Sequence, residues 1–347
     1  MKILISIGHP AHVHLFKNFI WALEERGHVC KIVARNKDIA KNLLDLYGFK
    51  YTVISNAEKG LVGLGIESIY RTFKFIPLIR NFKPDVMLSM IDPALGINAK
   101  IFGIKFISMT DTENATLQIK PALPLVDVVL TPSCFKKELG IKQKRYAGYH
   151  ELAYLHPNLF TPNVEVLSEL GLKEDDLFII MRFVSWDATH DVGHRGLTFE
   201  DKVKIVNELG KYGRVMITSE KELPDELQKY QIKVSPEKIH HLLYYATLLY
   251  GESATMASEA AVLGTHSIYC DYAGRGYTDE EEEKYSLVYN FYDEDSMGEE
   301  SLIKALELLE NPNLKEEGKL KREKLLADKI DVTAYMVDFT ENFLSKA

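Results

Sequence analysis

Short apolar runs alternate with amphipathic helical stretches, and the alternation starts again near residue 176. Together with a length of 347 residues, this predicts an α/β protein of two doubly wound, Rossmann-like domains facing a cleft. The length exceeds what one hydrophobic core ordinarily spans. Strands covered by helices on both faces of a parallel sheet read as near-continuous apolar runs, and that is the pattern here. Ligands of such sheets bind beyond the carboxyl ends of the strands, so the loops that follow strands are where chemistry is sought.

The first half reads in order. "KILISI" is a strand, and "LFKNFIWALEERG" has helical periodicity closed by Gly27 at a C-cap position. "HVCKIVA" is the next strand, "NKDIAKNLLDLYG" a glycine-closed helix, and "KYTVIS" a strand. "GIESIYRTFKFIPLIRNFKP" is a long amphipathic helix stopped by Pro84; "DVMLSMI", "KFISMT" and "DVVLTP" are further strands.

The Pro-, Asn- and acid-rich stretch 155–175 is the expected linker. Beyond it, "DLFIIMRFV", "GRVMITSE", "TLLYGES" and "THSIYCD" read as strands, with "FEDKVKIVNELGKYG", "PEKIHHLLYYA" and "TMASEAAVLG" as helices between them. The expected domains are 1–160 and 161–330, with 331–347 a C-terminal helix that packs back on the first domain.

Composition narrows the class. Hydrophobic content of 46% and charged content of 27% fit a soluble globular protein. No apolar run reaches the roughly 18 residues of a membrane span, and the start does not read as a signal peptide. Cys30, Cys134 and Cys270 are far apart and form no C-x-x-C pair, which predicts a reducing, cytoplasmic setting over a disulfide framework. Residues 1–150 carry 21 Lys and Arg against 12 Asp and Glu, a charge of +9, whereas the remainder carries −17. A basic first half suits an anionic acceptor or membrane surface, though surface charge also drifts freely. No aromatic–basic module points to nucleic acid.

Four stretches carry candidate chemistry. "GESATMASEAAVLGT" (251–265) follows an apolar strand and opens a helix. Ser253 and Thr255 are N-cap types, and a helix start offers unpaired N–H groups and a positive dipole end, a site suited to a diphosphate. Glu259, one turn along, is placed to accept from the two hydroxyls of a ribose. An ordinary capped helix with a surface glutamate fits the same residues. In "GHPAHVH" (8–14), Pro10 and the strand-to-helix turn scatter His9, His12 and His14, which argues against a shared metal. In "MRFVSWDATHDVGHRG" (181–196), Arg182 suits phosphate oxygens. Asp187, His190, Asp191 and His194 there read as a ligand-contacting loop, a metal site or plain loop structure. "DTEN" (111–114) follows a strand and offers Asp111 and Glu113; Asp92 follows another. Arg275 in "GRG" is a weaker signal, and the acid runs "DEEEEK" (279–284) and "YDEDSMGEE" read as solvated faces.

The stretch "S-A-T-M-A-S-E-A-A-V-L-G" resembles the nucleotide-sugar signature of the GT-B superfamily of glycosyltransferases. It also resembles the related non-hydrolysing UDP-N-acetylglucosamine 2-epimerases, whose pattern is D-S-G-G-x-x-E-E-A-x-x-L-G. Glu252, Ser253, Glu259, Ala260, Leu263 and Gly264 keep that pattern; Ala254, Thr255 and Ser258 depart from it. The N-terminal "L-E-E-R-G-H-V" and the segment 83–114 resemble the same superfamily, in particular the peptidoglycan N-acetylglucosaminyltransferase. The chain resembles a largely archaeal branch of it.

The resemblance implies GT-B architecture and an inverting, metal-independent glycosyltransferase using a nucleotide-diphosphate sugar, with a UDP-sugar the expected donor and no cofactor. The second domain would hold the donor through Arg182, Ser253, Thr255 and Glu259, with His190 and His9 as further substrate contacts. The first would hold the acceptor, with His12, Asp111 or Glu113 as base. The acceptor is unnamed. A lipid-linked one, met at the inner face of a membrane through the helix bearing Arg71, Lys74, Arg80 and Lys83, is one option. The alternatives are a nucleotide-sugar 2-epimerase, against which the absent G-T-R-P-E motif and Ser258 weigh, and a non-catalytic nucleotide-sugar-binding protein. Oligomeric state is not specified.

Overall fold

The computed structural model describes residues 1–56, 60–183, 196–219 and 222–345. The chain divides into two compact units, residues 1–159 with 330–347 and residues 160–329.

The first unit opens with β1 (Lys2–Ile7), α1 (Pro10–Glu25), β2 (Val29–Asn36), α2 (Asp38–Leu46), β3 (Tyr51–Asn56) and α3 (Gly60–Phe82). It continues through β4 (Val86–Met90), α4 (Pro93–Phe102), β5 (Lys105–Met109), α5 (Thr116–Ala122), β6 (Val128–Pro132), β7 (Gln143–Tyr146) and α6 (Leu152–Leu155). Its seven strands are parallel in the order β3-β2-β1-β4-β5-β6-β7. Leu4, Val33, Met87, Phe106 and Val129 from the strands pack with Phe75 and Ile79 of α3 and Leu95 of α4.

Local sequence sets the helix ends. The His9 side chain caps α1 by accepting from the Ala11 N–H, with Pro10 in the first turn, where its missing N–H costs nothing. Asp92 and Pro93 do the same for α4. Helix α3 runs through Pro77 and ends before Pro84. Pro77 lies on the exposed side of the helix, where water can serve the carbonyl that proline leaves unbonded.

The second unit contains α7 (Glu165–Glu169), β8 (Phe178–Arg182), α8 (Phe199–Leu209), β9 (Arg214–Thr218), α9 (Ile239–Tyr245) and β10 (Leu248–Gly251). It ends with α10 (Ala254–Leu263), β11 (Ser267–Cys270), α11 (Gly276–Glu283), β12 (Val288–Phe291), α12 (Met297–Leu309) and α13 (Leu314–Asp328). Its five parallel strands run β12-β11-β10-β8-β9. A single parallel bridge, Ile217 to Gln231, lies outside the named strands on the β9 side. Thr198 and Asp201 form a capping box on α8. Helix α14 (Val332–Ser345) belongs to the first unit, where Thr333 Oγ1 donates to the Ala153 carbonyl at 2.8 Å.

The acid run 279–284 is not a solvated face throughout. It forms most of α11, and Glu281 is 0% exposed, accepting from Ser258 Oγ at 2.6 Å. Glu280 meets Lys329 at 2.8 Å. Helical periodicity turns one side of this run inward, and buried partners there hold the charge.

Candidate functional site

In the first unit the candidate residues sit beyond the carboxyl ends of the strands. His12 lies in the first turn of α1, and its Nδ1 accepts from the Gly8 N–H at 3.2 Å. That bond leaves Nε2 as the protonated nitrogen of the neutral ring. Burial first, then the neighbouring His9, pushes its pKa down to about 3, against the opposing pull of Asp111. His9 is tied to the cap. His14 is buried, with its ring 5.4 Å from that of Tyr154.

Asp111 follows β5. Its Oδ2 lies 2.8 Å from Nδ1 of His150, a residue in the turn between β7 and α6, and its Oδ1 accepts from Thr112 Oγ1 at 2.9 Å. Burial alone would raise the Asp111 pKa. The charge and hydrogen bond of His150 outweigh it and bring the carboxyl to about 2. Burial opposes the charge on His150, and Asp111 more than offsets this, so the His150 pKa is raised. His150 Nε2 is buried and meets no hydrogen-bond partner among the described residues; the same is true of the Tyr146 hydroxyl. The Tyr146 and His150 rings are 14° from parallel, with centroids 6.4 Å apart.

Two further candidate carboxylates of this unit, Glu113 and Asp92, have scaffold partners. Glu113 Oε1 accepts from the Lys136 N–H at 3.0 Å, pinning its loop to the segment after β6. Asp92 pairs with Arg71 and accepts from Ser6 Oγ at 3.1 Å. The structure therefore groups His9, His12 and Asp111 electrostatically and adds His150, which sequence reasoning missed. His150 lies 39 positions beyond Asp111, in "YAGYHEL", where no local pattern marks it.

In the second unit Arg182 ends β8 and its carbonyl accepts from the Glu252 N–H at 2.9 Å. Gly251, directly before the candidate loop, has no room for a side chain, since an added Cβ would stand 2.0 Å from the Arg182 carbonyl oxygen. Glu252 is held by Lys202 Nζ at 3.0 Å and by the Leu197 N–H at 3.2 Å. Ser253 is the N-cap of α10, and its hydroxyl accepts from the Met256 N–H. Thr255 is in the first turn and half-buried. Glu259 is 5% exposed, not a surface residue, and its Oε1 meets His240 Nε2 at 2.9 Å. Arg275 donates to the Ala273 and Gly274 carbonyls and so braces its own loop. His190, with Asp187, Asp191 and His194, lies outside the described residues.

A cavity of about 230 Å³ in this unit is lined by Leu177, Tyr244, Thr247, Gly264 and His266 among others. These residues mark the amino ends of β8, β10 and β11, the opposite edge from the start of α10, so the cavity is not the candidate site. Among the described residues no three His, Cys, Asp or Glu converge as metal ligands.

The fold has solved counterparts. The S. aureus MnaA–UDP co-structure matches with a TM-score of 0.72 at 12% identity, over 99% of this chain and 97% of that one. The UDP-GlcNAc 2-epimerase from Neisseria meningitidis bound to UDP-GlcNAc matches at 0.71 and 13%, over 99% and 100%. The spinosyn forosaminyltransferase SpnP matches at 0.69 and 10%, over 99% of each chain. At these identities the likeness concerns the fold, which is that of GT-B glycosyltransferases and UDP-GlcNAc 2-epimerases. No curated protein matches the sequence. The family profile described as "Protein of unknown function (DUF354)" spans residues 1–342, and the chain belongs to that family.

Proposed function

We propose that this chain is an enzyme of nucleotide-diphosphate sugars, moving the sugar to an acceptor hydroxyl with inversion and without a bound metal. The observation that carries the reading is the start of α10. A parallel strand delivers a serine-capped helix whose first-turn amides and Thr255 hydroxyl suit a diphosphate, with Glu259 buried one turn along. In this reading His240 orients Glu259 toward a ribose, and Arg182 and His190 assist at the phosphates and sugar. His9 and His12 contact substrate from the first unit, and a UDP-sugar is the donor. Thermal unfolding with UDP, GDP, dTDP and CDP tests it. One family at about 100 times its Kd should add roughly 2.7 kcal/mol. Thr255→Val and Glu259→Ala should lose most of that gain. No gain with any nucleotide, in a folded sample, contradicts the reading.

One of the three matched structures named above is a UDP-GlcNAc 2-epimerase, which supports a second reading, epimerisation at the sugar C2. Formation of the C2 epimer from UDP-GlcNAc, followed by NMR, would select it.

A lipid-linked acceptor is supported by α3. Ile66, Ile69, Tyr70 and Phe73 form an exposed stripe, with Phe73 65% exposed, beside the exposed Ile97 and Ile101 of α4. Lys74 and Arg80 of α3, Lys83 just beyond it and Lys100 of α4, which pairs with Asp127, are basic residues of the same segments, while the one acid of α3, Glu67, is buried against Arg35 and Ser55. Exposed apolar residues on a helix that also carries cations suit an anionic bilayer, and two such faces would repel each other. No described helix is long and apolar enough to cross a membrane, so the contact proposed is peripheral. Vesicles containing phosphatidylglycerol should sediment the protein and Phe73→Glu should abolish this; equal binding to neutral vesicles would contradict it.

A further inference from the structure

We propose that His150, held by Asp111, is the proton-transfer group of this reaction, with Asp111 its positioning residue and His12 a neutral hydrogen-bond donor. The inference rests on the sugar-transfer reading above and deepens it.

Three observations carry it. Asp111 Oδ2 lies 2.8 Å from His150 Nδ1, which fixes that nitrogen as the donor and turns the basic lone pair of the neutral ring to Nε2. His150 Nε2 is buried and bonds no described residue, although most buried nitrogens find a partner. The pair stands beyond the carboxyl ends of β5 and β7, on the edge of the parallel sheet where ligands bind. The other candidates are committed elsewhere. Glu113 is bound to the Lys136 backbone. His12 uses Nδ1 on the Gly8 N–H, so it offers Nε2–H and no lone pair.

The step balances without a further reactant. The acceptor oxygen bonds to the anomeric carbon as its proton passes to His150 Nε2. The bond from that carbon to the β-phosphate oxygen breaks, and the nucleoside diphosphate leaves with the electron pair. The imidazolium, stabilised by Asp111, then returns its proton to solvent.

Two measurements on the full chain test this. The first is the NMR titration of the His150 ring in wild type and Asp111→Asn. The wild-type ring should show Nδ1–H in its neutral form and a midpoint above the ordinary value, and Asp111→Asn should lower that midpoint. An unchanged midpoint or the opposite tautomer overturns the pairing, whether or not a nucleotide binds. The second is slow UDP release from UDP-GlcNAc with water as acceptor. The wild-type rate should rise with pH through the His150 midpoint. His150→Gln, which keeps a donor for Asp111, should slow release by about 10²–10⁴-fold with the UDP Kd unchanged. Asp111→Asn should give an intermediate loss with an acid-shifted profile, and serves if His150→Gln is unstable. Wild-type protein that binds UDP and releases none, or release unaffected by His150→Gln, overturns the inference. Failure to bind UDP at all would instead count against the donor reading.

Discussion

Each unit holds a histidine–carboxylate pair near the carboxyl edge of its sheet, and the two pairs are built in opposite senses. In the first unit Asp111 holds Nδ1 of His150, and the imidazole is the member with an uncommitted nitrogen. In the second, His240 holds Oε1 of Glu259, which stands one turn along a helix that opens with hydrogen-bond donors. In the proposed reading, the same pairing of imidazole and carboxylate serves a proton carrier in one place and a fixed acceptor in the other. Which member is presented follows from which one the scaffold anchors, not from its pKa alone.

Exchanging the support in each pair should expose the difference. His150→Gln is expected to cost turnover by orders of magnitude and leave nucleotide affinity intact. His240→Gln should do the reverse, weakening nucleotide binding about tenfold through a misplaced Glu259, as read by calorimetry. Equal effects of both variants on affinity would erase the distinction.

The next effect concerns the ion pair of Lys202 with Glu252. Lys202→Met removes the ammonium 3.0 Å from the half-buried Glu252 carboxylate beside the α10 loop and should cost about 1–3 kcal/mol in urea unfolding. A loss under about 1 kcal/mol would show that Glu252 is reached by water.

The pH dependence is smaller and has a definite sign. His150 has a raised pKa, so its contribution is present below the unfolded value of 6.5 and is lost as pH rises past the folded one. Asp111 is lowered to about 2, so its contribution is present above its ordinary 3.8 and is lost below. The pair therefore contributes most between these limits, and Asp111→Asn should destabilise most near pH 5. Half-buried His12, at about 3, and buried His266, at about 4, act oppositely and favour the neutral ring. They erode stability as pH falls below 6.5, and His266→Gln should flatten that slope.

Smallest is Ser253→Ala, which removes the α10 cap and should cost about 1 kcal/mol, with nucleotide affinity reduced in step.

The sheets were legible wherever both faces are covered. "KILISI" and "DLFIIMRFV" are unbroken apolar runs because the strands they form, β1 and β8, lie inside parallel sheets. The edge strands β7, "QKRY", and β12, "VYNF", escaped because half-exposed strands need no such run. The α10 loop was legible because its residues are contiguous, so capping chemistry can be read along the chain. The Asp111–His150 pair was not, because it is assembled by β5 and β7 lying two strands apart in the sheet. The inward side of α11 was hidden for a related reason: a run of acids gives periodicity no contrast, and only packing against Ser258 and Lys329 selects the buried ones.

The most direct measurement is hydrogen–deuterium exchange with and without saturating UDP. The account predicts slowed exchange across residues 252–260, at the start of α10, and unchanged exchange across 105–116. Protection confined to the first unit, or none at saturation, would contradict the assignment of the donor to α10.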